Sequence, residues 1–250
     1  MLLLLPPSET KRPGGDGAPL DLGGLALPAL APLRRRTIDA LVALSAEPDT
    51  AARVLRLGPT QLGEVDVNAA LAEAPTRPAI DRYTGVLFDA LDAGSLPAPA
   101  RRWLGGHVRI HSAPFGPVGA LDPVPAYRLP AGVSVPGLPP LRRLWADAVT
   151  RALADEGSTF VLDLRSEAYV ALGPVPGGRP SAFVRVASPG ADGEVRALNH
   201  FNKRAKGELV RALAEDRPRI RRRDDLIDWA RGRGIALDEG DGRIMTLRVA

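Results

Sequence analysis

The chain opens on four leucines, Leu2 to Leu5, closed by Pro6-Pro7, and no other stretch limits its fold as tightly. A short continuous apolar run, stopped by two residues without amide donors, predicts a buried β-strand that cannot extend its ladder. The next residues, Ser8, Glu9, Thr10 and Lys11, are abruptly polar. A strand that empties such a loop at the edge of a sheet is a common way to place polar chemistry, although a plain surface loop running into Gly14-Gly15-Asp16-Gly17 reads equally well. The pattern recurs once, where Phe160 to Leu164 predicts a second buried strand ending at Arg165-Ser166-Glu167-Ala168-Tyr169.

With 250 residues, 45% of them hydrophobic and 25% charged, the chain is that of an ordinary globular protein, and one domain over residues 1–250 is the simplest division. The absence of cysteine removes disulfides, thiolate nucleophiles and Cys-ligated metals. The opening leucines lack a basic leader and stop far short of a signal or membrane span, so a soluble cytoplasmic protein with no membrane partner is expected. Net charge is +4, with basic clusters at Arg34 to Arg36, Lys203 to Arg211 and Arg217 to Arg223 that suit a phosphate-bearing partner. Only three of the 33 basic residues are lysines, Lys11, Lys203 and Lys206. In so arginine-rich a chain a lysine is informative, because its amine can be tuned to lose a proton whereas guanidinium stays charged. A solvated helix surface is the competing reading for Lys203 and Lys206.

Leu33 to Leu44 has helical periodicity, with its three arginines expected to face away from the apolar stripe. Ala51 to Leu71 suggests two short helices around Leu57-Gly58-Pro59-Thr60, either a helix-hairpin-helix or a C-cap followed by a restarted helix. Thr84 is a candidate N-cap for a helix over Val86 to Leu91. His107 to Ser112 predicts a strand that would hold His107 and His111 roughly 13 Å apart, too far for one metal, so no metal site and no cofactor are expected. Prolines keep residues 117–140 extended and looped. Leu141 to Leu153 is the clearest helix, with Trp145 in its apolar stripe. Phe183 to Val186 and Glu194 to Phe201 suggest a hairpin turned by Ala191-Asp192-Gly193. A helix is expected from about Asn202, with Ala205, Leu209 and Leu213 inward and Lys203 and Lys206 sharing the other side of its first turns, where free amides would help hold an anion. Arg219 to Arg223 reads as a solvated basic run, Leu226 to Ala230 as a short helix and Arg243 to Val249 as a closing strand.

Seven segments in register resemble the YaaA family of peroxide-stress proteins: Pro7-Ser8-Glu9-Thr10; Tyr83-Thr84-Gly85; Arg109 to Gly116; Leu121-Asp122 with Tyr127-Arg128-Leu129 and Gly132; Trp145 with Asp147; Ser166-Glu167-Ala168-Tyr169; and Lys203-Arg204-Ala205-Lys206-Gly207. The resemblance implies a mixed α/β single-domain fold peculiar to the family, with helices around a mixed sheet, a positively charged cleft and a helix-hairpin-helix element. It further implies a role in surviving hydrogen peroxide by limiting free intracellular iron, and DNA binding. Several positions depart from the pattern. Pro6 replaces a serine, Phe115 lacks a hydroxyl, Gly119 replaces an arginine, and Glu9 stands where a lysine is usual, with Lys11 two positions on.

Two functions are therefore expected in competition. In one, Arg128, Lys203, Arg204 and Lys206 hold the phosphates of duplex DNA. In the other, Ser8, Glu9, Lys11, Ser112, Tyr127, Glu167 and Lys203 converge on a pocket that processes a nucleotide, nucleobase or related phosphorylated molecule.

Overall fold

The computed structural model describes residues 1–187 and 195–249, and the side chains of these other than 195–199. Its centre is a mixed sheet of seven strands. These are β1 (Leu2–Leu5), β3 (Val108–Ser112), β4 (Gly116–Gly119), β6 (Val161–Asp163), β7 (Ser181–Ala187), β8 (Leu237–Glu239) and β9 (Ile244–Arg248), ordered β4-β3-β1-β6-β7-β9-β8. Strands β3, β1, β6, β7 and β9 run parallel, and the antiparallel β4 and β8 close the two edges. A two-stranded ribbon, β2 (Arg77–Pro78) with β5 (Pro123–Val124), lies apart.

Strand β1 fits between β3 and β6, with Leu3 opposite Val108 and Leu162. Its leucines are at most 3% exposed, as expected of a parallel strand covered on both faces. Among the described residues the helices are α1 (Ala31–Ser45), α2 (Pro48–Leu55), α3 (Glu64–Ala69), α4 (Ala79–Arg82), α5 (Val86–Leu91), α6 (Ala98–His107), α7 (Leu141–Asp155), α8 (Glu167–Val170), α9 (Val195–Asp216) and α10 (Arg223–Gly232), with α9 packed on β7, α7 on β4 and α10 on β8. Trp145 on α7 is fully buried, its indole donating to the Ala113 carbonyl at 3.0 Å. Among the described residues no helix is long and apolar enough to cross a membrane.

Several sequence expectations are corrected. Residues 195–201 begin α9 and do not form a strand, so the expected hairpin is not made; its turn, Ala191-Asp192-Gly193, lies outside the described residues. Lys203 and Lys206 consequently sit well inside a helix, where the backbone amides are already bonded. His107 ends α6 and only His111 belongs to β3. Thr84 does not cap α5: Gly85 is the N-cap, its amide is bonded to Asp89 at 3.2 Å, and the Thr84 hydroxyl turns to Thr10 at 3.0 Å. A helix-hairpin-helix is not shown. Helix α2 ends on Arg56 at φ 56, and the Gln61 side chain accepts from the Gly58 amide at 3.1 Å in a 3₁₀ turn before α3. Arg34 faces inward, fully buried, and donates to the carbonyls of Phe115, Ala26 and Pro117.

Helix α9 packs closely on α5. A methyl added at Gly207 would lie 2.2 Å from the Leu87 carbonyl, so glycine sets the approach of the two helices. Gly207→Ala should destabilise the protein by about 1–3 kcal/mol through overpacking. Gly106→Ala, at a helical site with no atom within 4 Å of the added methyl, should instead stabilise by about 0.5–1 kcal/mol. Equilibrium denaturation of the two variants checks both signs.

Candidate functional site

Parallel strands β1, β3 and β6 all end on one side of the sheet, and the polar loops beyond them meet there. Beyond Leu5, Pro6-Pro7 release the backbone. The chain is recaptured where Lys11 bridges to Tyr83 and the Thr10 carbonyl accepts the Thr84 amide at 3.2 Å. The fully buried Arg82 guanidinium gathers the carbonyls of Arg12, Gly14, Pro75 and Val124, pinning the rest of the loop. Gly85, at φ 95, lies against Ser8 and Thr10, where a side chain would be both strained and crowded.

This path sends Lys11 inward. Its Nζ donates to the Ser8 and Glu9 carbonyls, each at 3.1 Å, and stands 4.1 Å from the centre of the Tyr127 ring. Burial lowers its pKa to about 7; Glu64 pulls the other way, and Arg128 adds to the lowering. Tyr83 and Tyr127 share a hydrogen bond of 3.0 Å between their hydroxyls, and burial raises the pKa of both. Arg128, 8% exposed, is held through its backbone by Asn68 at 2.8 and 2.9 Å and meets the Glu9 carboxylate at 3.1 Å. Its Nε is buried without a partner among the described residues. Ser112, at the end of β3, is fully buried and accepts the Phe115 amide at 3.1 Å. Phe115, in place of the expected hydroxylated ring, packs edge-on against Tyr127 with centroids 5.2 Å apart. A cavity of about 470 Å³ opens over Glu9, Lys11, Gln61, Glu64 and Tyr127.

A second desolvated amine lies on the same side of the sheet. Lys206 reaches in from α9, donates to the Leu164 carbonyl at 3.0 Å and has its pKa lowered to about 8 by burial, against the pull of Asp163. Asp163 and Arg165 form a buried pair at 2.6 Å, and Arg165 donates to His111 Nδ1 at 2.8 Å. Since guanidinium can only donate, His111 carries its proton on Nε2. Burial, reinforced by Arg165, holds its pKa well below the ordinary value.

Of the sequence candidates, Ser8, Glu9, Lys11, Ser112, Tyr127 and Arg128 come together. Lys206 lies inward on its own partners, while Lys203 is exposed, Arg204 pairs with Glu208 at 2.8 Å, and Glu167 is exposed at the start of α8. Sequence reasoning missed Tyr83 as the partner of Tyr127 and Arg82 as the clamp. The alternation Asp163-Leu164-Arg165 was the available signal for the buried pair, since residues two apart on a strand share a face.

The Lys11 amine gives a pH signature. Its folded pKa lies below its unfolded one, so from about pH 7 upward the unfolded chain holds more protons and stability rises with pH. Lys11→Met removes that contribution. Between about pH 7 and 9 the free-energy difference between the two proteins should shift in favour of the wild type. Urea denaturation at each pH measures this, and a flat difference would mark the amine as an ordinary solvated one.

A family model described as "Peroxide stress protein YaaA" matches residues 1–238. A UPF0246 protein of Corynebacterium efficiens is 44% identical over 252 residues, covering 99% of this chain and 98% of the relative. One of Streptomyces coelicolor is 42% identical over 217 residues, covering 85% and 82%. A more distant UPF0246 protein of Neisseria meningitidis serogroup B is 28% identical over 143 residues, covering 55% of each. With its motifs in order and nearly its whole length matched, the chain belongs to the YaaA family of peroxide stress proteins.

Proposed function

We propose that the protein serves the peroxide-stress response by limiting free intracellular iron, and that its molecular work is done in the cavity beside Lys11. The ligand class that suits this cavity is a nucleotide, nucleobase or related phosphorylated molecule. The supporting observation is the Lys11 amine itself, desolvated against Tyr127 at the mouth of a concave site with Arg128 beside it. An amine poised near neutrality exchanges protons readily, the buried Tyr83-Tyr127 pair offers hydroxyl donors, and Arg128 is a planar donor for phosphate. The cavity lies outside the carboxyl ends of parallel strands, where sheets of this kind commonly bind ligands.

Titration calorimetry with nucleoside mono- and diphosphates tests the proposal. Lys11→Met and Arg128→Met should each weaken binding at least about tenfold, the loss expected for a charge-assisted contact, while Lys203→Gln should not. Wild-type affinity in the Lys11 variant would overturn it. In cells lacking the protein, the wild type should restore survival of peroxide and lower the unincorporated iron pool, and the Lys11 variant should fail to do either.

Duplex DNA is the second reading. Of the four cations expected on phosphates, Arg128 is engaged with Glu9, Arg204 with Glu208 and Lys206 with the Leu164 carbonyl. Lys203 alone among them is exposed without an ion-pair partner among the described residues, beside Phe201 at 53% exposed. A DNA-binding member of this kind needs a further basic surface.

A further inference from the structure

We infer that such a surface lies on the opposite side of the sheet from Lys11, and that Arg217, Arg219 and Arg221 receive the phosphates of a nucleic-acid backbone. The inference rests on the DNA reading and gives it a location.

Helix α9 ends at Asp216 and α6 ends at His107, both on the side where the parallel strands begin. Between them is a hollow of about 240 Å³ lined by Trp103, His107, Thr159, Arg217, Arg219 and Arg221, and among the described residues no carboxylate lines it. Arg217 adopts a left-handed φ of 53 and, with its amide on the Leu213 carbonyl at 2.8 Å, turns the chain out of α9. Beyond it Ile220 is buried as an anchor, while Arg219 and Arg221 on either side of it are exposed.

The neighbouring charges make the cluster selective. Arg211 and Arg233 take Glu215, Arg233 also takes Asp216, and Arg222 takes Asp225. Every acid at the end of α9 and the start of α10 that ion-pairs is thus committed elsewhere. The guanidinium groups of Arg217, Arg219 and Arg221 have no carboxylate within 4.0 Å among the described residues, the nearby Asp225 carboxylate being taken by Arg222 and by the Arg221 backbone amide at 2.8 Å. The helix dipole accounts for a cation at the last turn of α9, but it fades within that turn and does not reach Arg221.

Trp103 and His107 complete the wall. Their rings stack 4.2 Å apart at 9°, and His107 Nδ1 donates to the Trp103 carbonyl at 2.8 Å; burial lowers the His107 pKa, so the ring is a neutral wall and the positive charge of the hollow is that of the arginines. Exposed Arg219, buried Ile220 and exposed Arg221 alternate, so both arginines stand on the outer side of the segment. Arginines strung along a segment match a line of phosphates better than one compact anion, which favours a polynucleotide as the ligand.

Fluorescence anisotropy with a labelled duplex of about 20 base pairs, titrated from about 50 to 200 mM salt, tests this directly. Arg219→Gln/Arg221→Gln should weaken binding at least about tenfold at the low-salt end and flatten the log-log salt slope by about two, one for each lost phosphate contact. Arg219→Lys/Arg221→Lys should keep most of the slope, which separates lost charge from lost folding. Wild-type affinity and slope in the Gln variant, with Lys203→Gln weakened instead, would overturn the surface and leave the DNA reading standing. Absence of duplex binding by the wild type at low salt would end both. Inorganic phosphate binding as tightly as the duplex would reduce the hollow to a small-anion site and refute the polynucleotide. Nucleotide binding in the Lys11 cavity is measured separately and is unaffected by any of these outcomes.

Discussion

Strand β1 can run only as far as Pro6, and that stop places everything else at the candidate site. Four consecutive leucines give neighbouring strands no side-chain pattern from which to choose a register, since a slip by one residue exchanges leucine for leucine. The register is instead limited at its end by two residues with no amide to donate. Pro6-Pro7 fix where the polar loop leaves the sheet, level with the ends of β3 at Ser112 and β6 at Asp163. A buried strand with an uninformative interior and an abrupt end is thus an anchoring device, and Ser8, Glu9 and Lys11 are delivered by it.

A second constraint comes from the 25 prolines. Each contributes a carbonyl acceptor and no donor, so the loops that carry them have more acceptors than their own backbone can satisfy. Buried arginines correct the imbalance. Arg34 donates to the Pro117 carbonyl among others, and Arg82 to that of Pro75, each turning several donors on one fork toward loop backbone. Burying a guanidinium is costly, and burial lowers the pKa of both residues to about 10, leaving them charged at neutral pH. The benefit is that segments without a hydrogen-bonded ladder are held in one conformation, including the loop that bears Lys11.

The sequence made the helices around Ile38 and Trp145 and the strands around Leu3 and Leu162 legible, because a single apolar period runs through each. It failed where two signals competed. His107 was read as part of the strand that follows, yet α6 runs through Gly105 and Gly106 to His107, with Leu104 anchored in the core. Arg34 stood first in a triplet that composition marks as surface, although its spacing, four before Ile38 and seven before Leu41, sets it alone of the three on the apolar stripe; two of its three acceptors, the Phe115 and Pro117 carbonyls, lie some eighty positions away in the chain. Lys203 and Lys206 have the spacing of helix neighbours, but that spacing leaves an angular offset around the axis. Lys206 falls beside the buried Ala205 and Leu209, and Lys203 falls on the outer face. Convergence of Ser8, Glu9, Tyr127 and Arg128 was legible only as a set of polar loops after buried strands, and their geometry needed the long-range clamps.

The scarcity of lysine acquires a physical meaning from these placements. Arginine supplies most of the permanent cations, at the surface and on loop carbonyls. Of the three lysines, Lys203 is exposed, while Lys11 and Lys206 stand at desolvated positions where burial brings the amine's pKa toward neutrality. At Lys11 burial outweighs the rest and, with Arg128, favours the free amine, while Glu64, two carbonyls and the Tyr127 ring favour the ammonium, and the pKa comes to about 7. A group with its pKa near neutrality responds to whatever enters the cavity. An arriving anion would return the proton to it, and an apolar surface closing over it would drive the proton off. Guanidinium at the same position would respond to neither, because its pKa lies too far above neutrality for either change to alter its charge.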